Sequence, residues 1–154
     1  MHLRPAVLRD LDELNRLARE SKAHWGYTEA QLDRWAGDLA TRPDTLATWP
    51  TVVAVADGRL AGFAQVDPTR EPWDLVSLWI RPAFMRRRIG ATLLREVQAL
   101  ARRAGMQAIH VDADPNALAF YRACGAIEIG TVPAPIEGQP SRVRPQLRLP
   151  AGVA

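Results

Sequence analysis

Three consecutive arginines, Arg86, Arg87 and Arg88, end two residues before Gly90, where a strand-like run gives way to a helical one. A helix N-terminus carries four unpaired N–H groups and the positive end of a dipole, so such a turn accepts a phosphate. Glycine lets the backbone approach the anion, and guanidinium groups add fork-shaped donors. The alternative is a solvated basic loop in which Gly90 only eases entry into the helix. His24 and His110 have the side chain most often used for proton transfer, although a lone histidine is more often structural. Cys124, one turn along from Phe120, is the single cysteine and reads as a small buried hydrophobe rather than a nucleophile.

The basic residues belong to one segment. The chain carries a net charge of +3, and Lys22 is the only lysine among its 20 basic residues. Between Arg81 and Arg103 seven arginines face Glu96 alone, so the remainder is net acidic. Such a surplus calls for phosphates on nucleic acid, membrane or cofactor. The arginines lack the interleaved aromatics of a single-strand platform and no recognition-helix motif accompanies them, which disfavours nucleic acid.

The elements that position these residues fit one domain, 1–154, with 47% apolar and 24% charged residues. One cysteine excludes a disulfide framework and a cysteine-rich zinc site. Eight charged side chains between Arg4 and Glu20 argue against a secretory signal, and no apolar run nears the roughly 18 residues of a membrane span. A cytoplasmic protein with no membrane partner is expected. His2–Ala6 reads as a strand. Asp10 with Glu13 reads as a capping box for a helix bearing Leu14, Leu17 and Ala18, and Thr28 with Gln31 opens a second helix. Pro43 and Pro50 bound a loop. Asp57-Gly58 joins two apolar runs as a hairpin. A strand at 74–80, a helix from Gly90 to Ala104, a strand at 108–113, a short helix after Asp114-Pro115, and strands at 127–132 and 143–149 follow. This order implies an α/β domain with a mixed sheet.

The stretch Arg81-Pro82-Ala83-Phe84-Met85-Arg86-Arg87-Arg88-Ile89-Gly90-Ala91-Thr92-Leu93-Leu94 resembles motif A of the GCN5-related N-acetyltransferase (GNAT) superfamily, whose phosphate loop reads Arg/Gln-x-x-Gly-x-Gly/Ala. Asp114-Pro115-Asn116-Ala117 and Phe120-Tyr121-Arg122-Ala123-Cys124-Gly125 resemble its second signature, Asn-x-x-Ala-x-x-Phe-Tyr-x-x-x-Gly-Phe. Ser21 to Tyr27 is similar to a segment of an uncharacterised bacterial subgroup. Met85 departs from the usual Arg or Gln, Arg88 stands at the first glycine and Ala126 replaces phenylalanine. An arginine at Arg88 either crowds a pyrophosphate or pairs with it, and the otherwise kept pattern favours pairing.

The resemblance implies a mostly antiparallel sheet of six to seven strands, splayed between the fourth and fifth, with about four helices on its faces. It implies acetyl-CoA as donor, with coenzyme A's pantetheine arm on the backbone of Leu78, Trp79 and Ile80. The pyrophosphate would lie over Arg86, Arg87, Arg88, Ile89, Gly90 and Ala91, and Asn116 would contact the pantetheine from the other side. The reaction implied is direct N-acetylation of a primary amine on a small molecule or peptide; a homodimer is left open. An alkylammonium with pKa near 10.4 is only about 0.1% neutral around pH 7.5, so a base helps. Asp74 occupies the position of the base in histone-type members; its alternative is a carboxylate paired with an arginine. His24, His110 and water remain competitors. Tyr121 occupies the position of the leaving-group acid. A phenol near 10 against a thiol near 8.5 makes full proton transfer uphill by about 2 kcal/mol, so a hydrogen bond to the thiolate is the better role. The loop Pro133–Ser141 with Arg142 and Arg144 is placed over the acceptor, where arginine suits a carboxylate. The altered phosphate loop keeps a second class open, a non-catalytic acyl-CoA-binding regulator.

Overall fold

The computed structural model describes residues 1–152. A seven-stranded sheet runs in the order β1-β2-β3-β4-β5-β7-β6, built from β1 His2–Pro5, β2 Thr51–Ala56, β3 Arg59–Asp67, β4 Trp73–Ile80, β5 Ala108–Asp112, β6 Ile127–Pro133 and β7 Val143–Pro150. Every pairing is antiparallel except that of β4 with β5. Five helices cover it: α1 Leu11–Ala23, α2 Glu29–Leu39, α3 Pro43–Thr48, α4 Ile89–Arg103 and α5 Leu118–Ala123. Leu93, Leu94 and Val97 of α4 pack with Val66, Ile109 and Leu147 on one face. Leu14 and Leu17 of α1, with Leu46 of α3, pack on Val53 and Phe63 on the other. The mixed sheet expected from the element order is therefore present. No helix among the described residues is long and apolar enough to cross a membrane.

The β2–β3 hairpin turns on Asp57 and Gly58, both with positive φ (53° and 73°), as a two-residue turn of this hand requires. The β4–β5 pairing is short: Trp73, Asp74 and Leu75 face Ile109, His110 and Val111, and nothing beyond them is paired. On the other edge Val66 faces Leu75 while Gln65 faces Ser77, so Val76 is an extra residue in β4. Such a bulge bends its strand and increases the twist. Gly62 of β3 lets the bent strand lie close, since a methyl there would come within 2.8 Å of the Trp79 carbonyl oxygen. From Ser77 to Ile80, β4 is paired with β3 alone, and the sheet opens there.

Three local expectations change. Asp10 does not cap α1; its carboxylate accepts the Val7 amide at 2.8 Å and pairs with Arg4, closing a 3-10 turn ahead of the helix. The segment between Pro43 and Pro50 is not all loop, because Pro43 opens α3 at a position where its missing N–H costs nothing, and Leu46 is buried. Arg81 is not part of the anion-binding surplus. It is buried at the end of β4, donating to the Leu60 carbonyl at 3.0 Å, to Glu20 at 3.1 Å and to Glu13. It ties the strand to α1.

Candidate active site

The open part of β4 and the start of α4 form one continuous surface. In the middle of a sheet, an unpaired strand edge offers N–H and C=O groups to an extended partner, and here those groups belong to the segment holding Leu78, Trp79 and Ile80. Leu78 and Ile80 pack toward the α4 core and Trp79 toward α1, so side chains anchor the strand while its backbone edge stays free. At the next turn Arg86 (φ 65°) and Arg88 (φ 62°) are both left-handed, and Arg88 leads directly into the helix at Ile89. A left-handed residue followed by right-handed ones gathers successive N–H groups into an anion-binding concavity. Arg88 thus adopts the conformation that favours glycine at the position where the family pattern has one.

Few charges of the arginine segment remain unpaired. Arg87 is paired with Asp57 at 3.1 Å and lies over Phe84, Arg103 approaches Glu96 at 3.7 Å, and Arg102 donates to the Ala151 carbonyl. Arg86 and Arg88 are exposed and have no carboxylate partner among the described residues. Gly90 has a packing reason as well: a methyl there would meet Phe120 Cζ at 3.2 Å and Ile80 Cγ1 at 3.7 Å. Ala91 lies in the first turn of α4.

One rung before the last pair of β4 and β5, two candidate bases meet. His110 Nδ1 and Asp74 Oδ1 are 2.9 Å apart, both side chains partly exposed. An ionised carboxylate only accepts, so Nδ1 is the donor of this bond, and in the neutral imidazole Nε2 is then the acceptor. Asp74 is therefore neither alone nor bound to an arginine. Tyr121, on α5, is buried beside Phe120, with ring centroids 5.2 Å apart. Burial, reinforced by the neighbouring Cys124 and Asp114, pushes its phenol well above the ordinary range; no hydrogen bond contributes to the shift. Cys124 is half-buried against the core, its thiol pushed up by burial.

A second group was not anticipated. Ile109, Val111 and Ala113 enter the α4-side core, so His110, Asp112 and Asp114 alternate onto the opposite face. There the Lys22 ammonium bonds Asp114 and lies over the rings of Tyr27 and Trp35, 4.9 and 5.0 Å from their centroids. Tyr27 donates its hydroxyl to Asp114 at 2.9 Å and accepts from Arg142 at 2.9 Å. Burial alone would raise Asp114, but the Lys22 hydrogen bond and charge outweigh it and hold the carboxyl below the usual range. Asn116 donates to Tyr27 at 3.2 Å and to Asp114 at 2.9 Å. Beside the cluster lies a cavity of about 270 Å³ lined by Trp25, Tyr27, Gln31, Asn116, Glu137 and Arg142 among others.

Some expected residues stay outside. His24 is exposed, meets Trp25 edge-on and has no hydrogen bond to Asp74 or Asp114 among the described residues. Arg144 is held by Asp112 through two bonds of 2.8 and 3.1 Å, leaving Arg142 as the arginine at the cavity. Counting back from Ala117, Phe120-Tyr121 and Gly125 puts the asparagine position of the family pattern on Asp114 rather than Asn116. That count, together with the solitary lysine, was the available signal for the cluster.

The sequence matches the model of the Acetyltransferase (GNAT) family over residues 10–126. No curated protein matches it. Among solved structures, a GCN5-related N-acetyltransferase from Rhodopseudomonas palustris is 24% identical with a TM-score of 0.79, the alignment covering 97% of this chain and 94% of that one. The PaiA N-acetyltransferase of Thermoplasma acidophilum, solved with coenzyme A, is 19% identical with a TM-score of 0.72, covering 97% and 98%. YncA of Salmonella typhimurium, solved with acetyl-CoA, is 15% identical with a TM-score of 0.73, covering 100% and 95%. At these identities the structures speak for the fold, and the match over residues 10–126 speaks for the family. The chain belongs to the GNAT acetyltransferase family.

Proposed function

We propose that this protein is an acetyl-CoA-dependent N-acetyltransferase acting on a primary amine of a small molecule or peptide within a ternary complex. The observation that carries the reading is the unpaired edge of β4 running into the left-handed turn of Arg86 and Arg88. A ligand with amide groups at one end and phosphates at the other fits that order. Structures of similar fold from Thermoplasma acidophilum and Salmonella typhimurium hold coenzyme A and acetyl-CoA respectively, which supports the choice.

In this reading Leu78 and Ile80 hydrogen-bond the pantetheine through their backbone, the Trp79 backbone being turned toward β3, and Asn116 offers its side-chain carbonyl from the other lip. Arg86, Arg88 and the amides of Ile89, Gly90 and Ala91 hold the pyrophosphate, with Arg87 held back by Asp57. Acetyl-CoA supplies an acetyl group activated as a thioester. His110 Nε2 takes the proton that the acceptor ammonium must lose, through water, while Asp74 fixes the imidazole. The Leu78 amide donates to the acyl oxygen as the C–N bond forms and the C–S bond breaks. Tyr121 donates a hydrogen bond to the departing sulfur.

Two measurements test the donor. Acetyl-CoA at 100 times its Kd is expected to stabilise the fold by about 2.7 kcal/mol, a rise in Tm of about 5–10 °C for a chain of this size. No rise with either acetyl-CoA or CoA would sink the assignment. Release of CoA on addition of amines, beyond binding alone, separates a transferase from an acyl-CoA-binding regulator.

Arg88→Gly asks what the departure at the first glycine does. A non-glycine residue in the left-handed region costs roughly 1–2 kcal/mol, while glycine adds about 1 kcal/mol of unfolded-state entropy. Stability should therefore change by less than about 1 kcal/mol. The CoA Kd is expected to rise about fivefold through loss of one guanidinium–phosphate contact. A tighter complex would mean that Arg88 crowds the phosphates.

A further inference from the structure

We infer that the acceptor carries a carboxylate beside its reactive amine, as an amino acid does, and that Arg142 is the residue that selects it. This rests on the transferase reading above and deepens it. Leu78 of β4 and Asp114, just past the end of β5, both follow the last paired rung, Leu75 with Val111, so they stand on the two lips of the opening. The cavity beside Asp114 therefore borders the opening in which the acyl group would be held.

The charge of that cavity points to an anion. Lys22 and Arg142 share the single carboxylate Asp114, and the side chains of Arg142 and Asp114 are each only 8% exposed. Tyr27 stays a neutral phenol, its ionisation opposed first by burial and then by the neighbouring carboxylate. The buried set thus holds one positive charge in excess, and a cation out of water needs a partner. Glu137 lies at the rim but is exposed, where water screens it.

Arg142 also has donors to give. One terminal nitrogen bonds the Ala134 carbonyl at 2.9 Å and the other bonds Tyr27 at 2.9 Å. Its Nε–H and one further proton on each terminal nitrogen have no partner among the described residues. The loop between β6 and β7 and the turn at Tyr27 hold the guanidinium rigidly, so a carboxylate meets a preset fork. About 270 Å³ is small beside the roughly 300–1,000 Å³ of pockets for drug-sized ligands, which favours a compact acceptor or the tip of a larger one.

The test pairs free amino acids with their C-terminal amides at saturating acetyl-CoA, following CoA release. Each acid is expected to exceed its amide by about 30-fold or more in kcat/KM, the discrimination of one charge-assisted pair. Arg142→Gln should bring the acid to within about threefold of the amide, chiefly through the KM of the acid. Arg142→Lys, which keeps the charge without the fork, should recover part of the preference. Titration of N-acetyl amino acids and their amides into the unliganded protein gives a readout independent of turnover and should show the same order. Equal turnover or equal binding of acids and amides by the parent protein overturns the inference while the transferase reading stands. Equal loss for acid and amide in both variants also overturns it. Failure of every amine, acid or amide, overturns both readings together.

Discussion

His110→Gln is expected to lower kcat about 100-fold at neutral pH, with the KM for acetyl-CoA changed by less than about twofold. The reason lies in the register of β4 and β5. Asp74 and His110 face each other one rung before the last pair, Leu75 with Val111, beyond which the sheet opens, and they lie 2.9 Å apart through Oδ1 and Nδ1. The carboxylate fixes which nitrogen is protonated, and Nε2 is left as the acceptor. Glutamine keeps the size and polarity of the side chain but accepts no proton. Added imidazole should restore part of the activity of His110→Ala, which a purely structural role would not allow.

Asp74 acts through His110, so it is a positioning residue in this scheme. Asp74→Asn offers an amide where the imidazole needs an acceptor, and half of its rotamers would turn the ring or its tautomer. It is expected to lower kcat by about 10- to 100-fold with the acetyl-CoA KM preserved, and Asp74→Glu should recover some of the loss. Full activity in Asp74→Asn would leave His110 without an orienting partner and return the base to water.

Much of this frame was legible in the residues, for reasons that are local. Leu14, Leu17 and Ala18, or Leu93, Leu94 and Val97, repeat at helical spacing because each helix buries one stripe. Asp57-Gly58 announces its hairpin because few residues other than glycine, asparagine and aspartate accept positive φ. Thr28 and Gln31 do form a capping box, each side chain bonding the other's backbone amide. The errors also have local causes. Pro43 looks like a boundary whether it ends a loop or opens a helix, and only the burial of Leu46 distinguishes the two.

Long-range pairing left weaker traces. Arg81 counts as one of seven arginines in sequence, but the fold assigns it to Glu13 and Glu20, some sixty residues away. Lys22 and Asp114 are 92 residues apart, and Tyr27 and Arg142 are 115 apart, so no window along the chain contains either pair. The splay of the sheet came from the family resemblance alone. Its physical cause is the extra residue Val76, and one bulged residue in a run of apolar ones has no signature of its own. Asp74 and His110 stand as separate candidates in the sequence because adjacency across parallel strands cannot be read from either strand.

Tyr121→Phe is expected to lower kcat about 10- to 100-fold while leaving Tm unchanged or slightly raised. The two effects separate because the phenol has no hydrogen-bond partner among the described residues. Removing a hydroxyl that bonds nothing within the fold leaves no donor or acceptor stranded, and the ring remains against Phe120 in the α4-side core. A residue kept only for packing would show the same Tm and an unaltered kcat, so the activity decides. The environment also defines what the hydroxyl can do. Burial pushes its pKa well above the ordinary phenol, with Cys124 and Asp114 adding to the shift. Transfer of its proton to a thiolate near 8.5 is then uphill by more than the roughly 2 kcal/mol of an unperturbed phenol. Tyr121 is accordingly a hydrogen-bond donor to developing negative charge on sulfur, and its contribution falls on the step in which the C–S bond breaks. Thioester donors with more acidic leaving thiols need that donor less. The ratio of parent to Tyr121→Phe should therefore shrink as the leaving thiol becomes more acidic, and a ratio independent of the thiol would remove Tyr121 from the reaction.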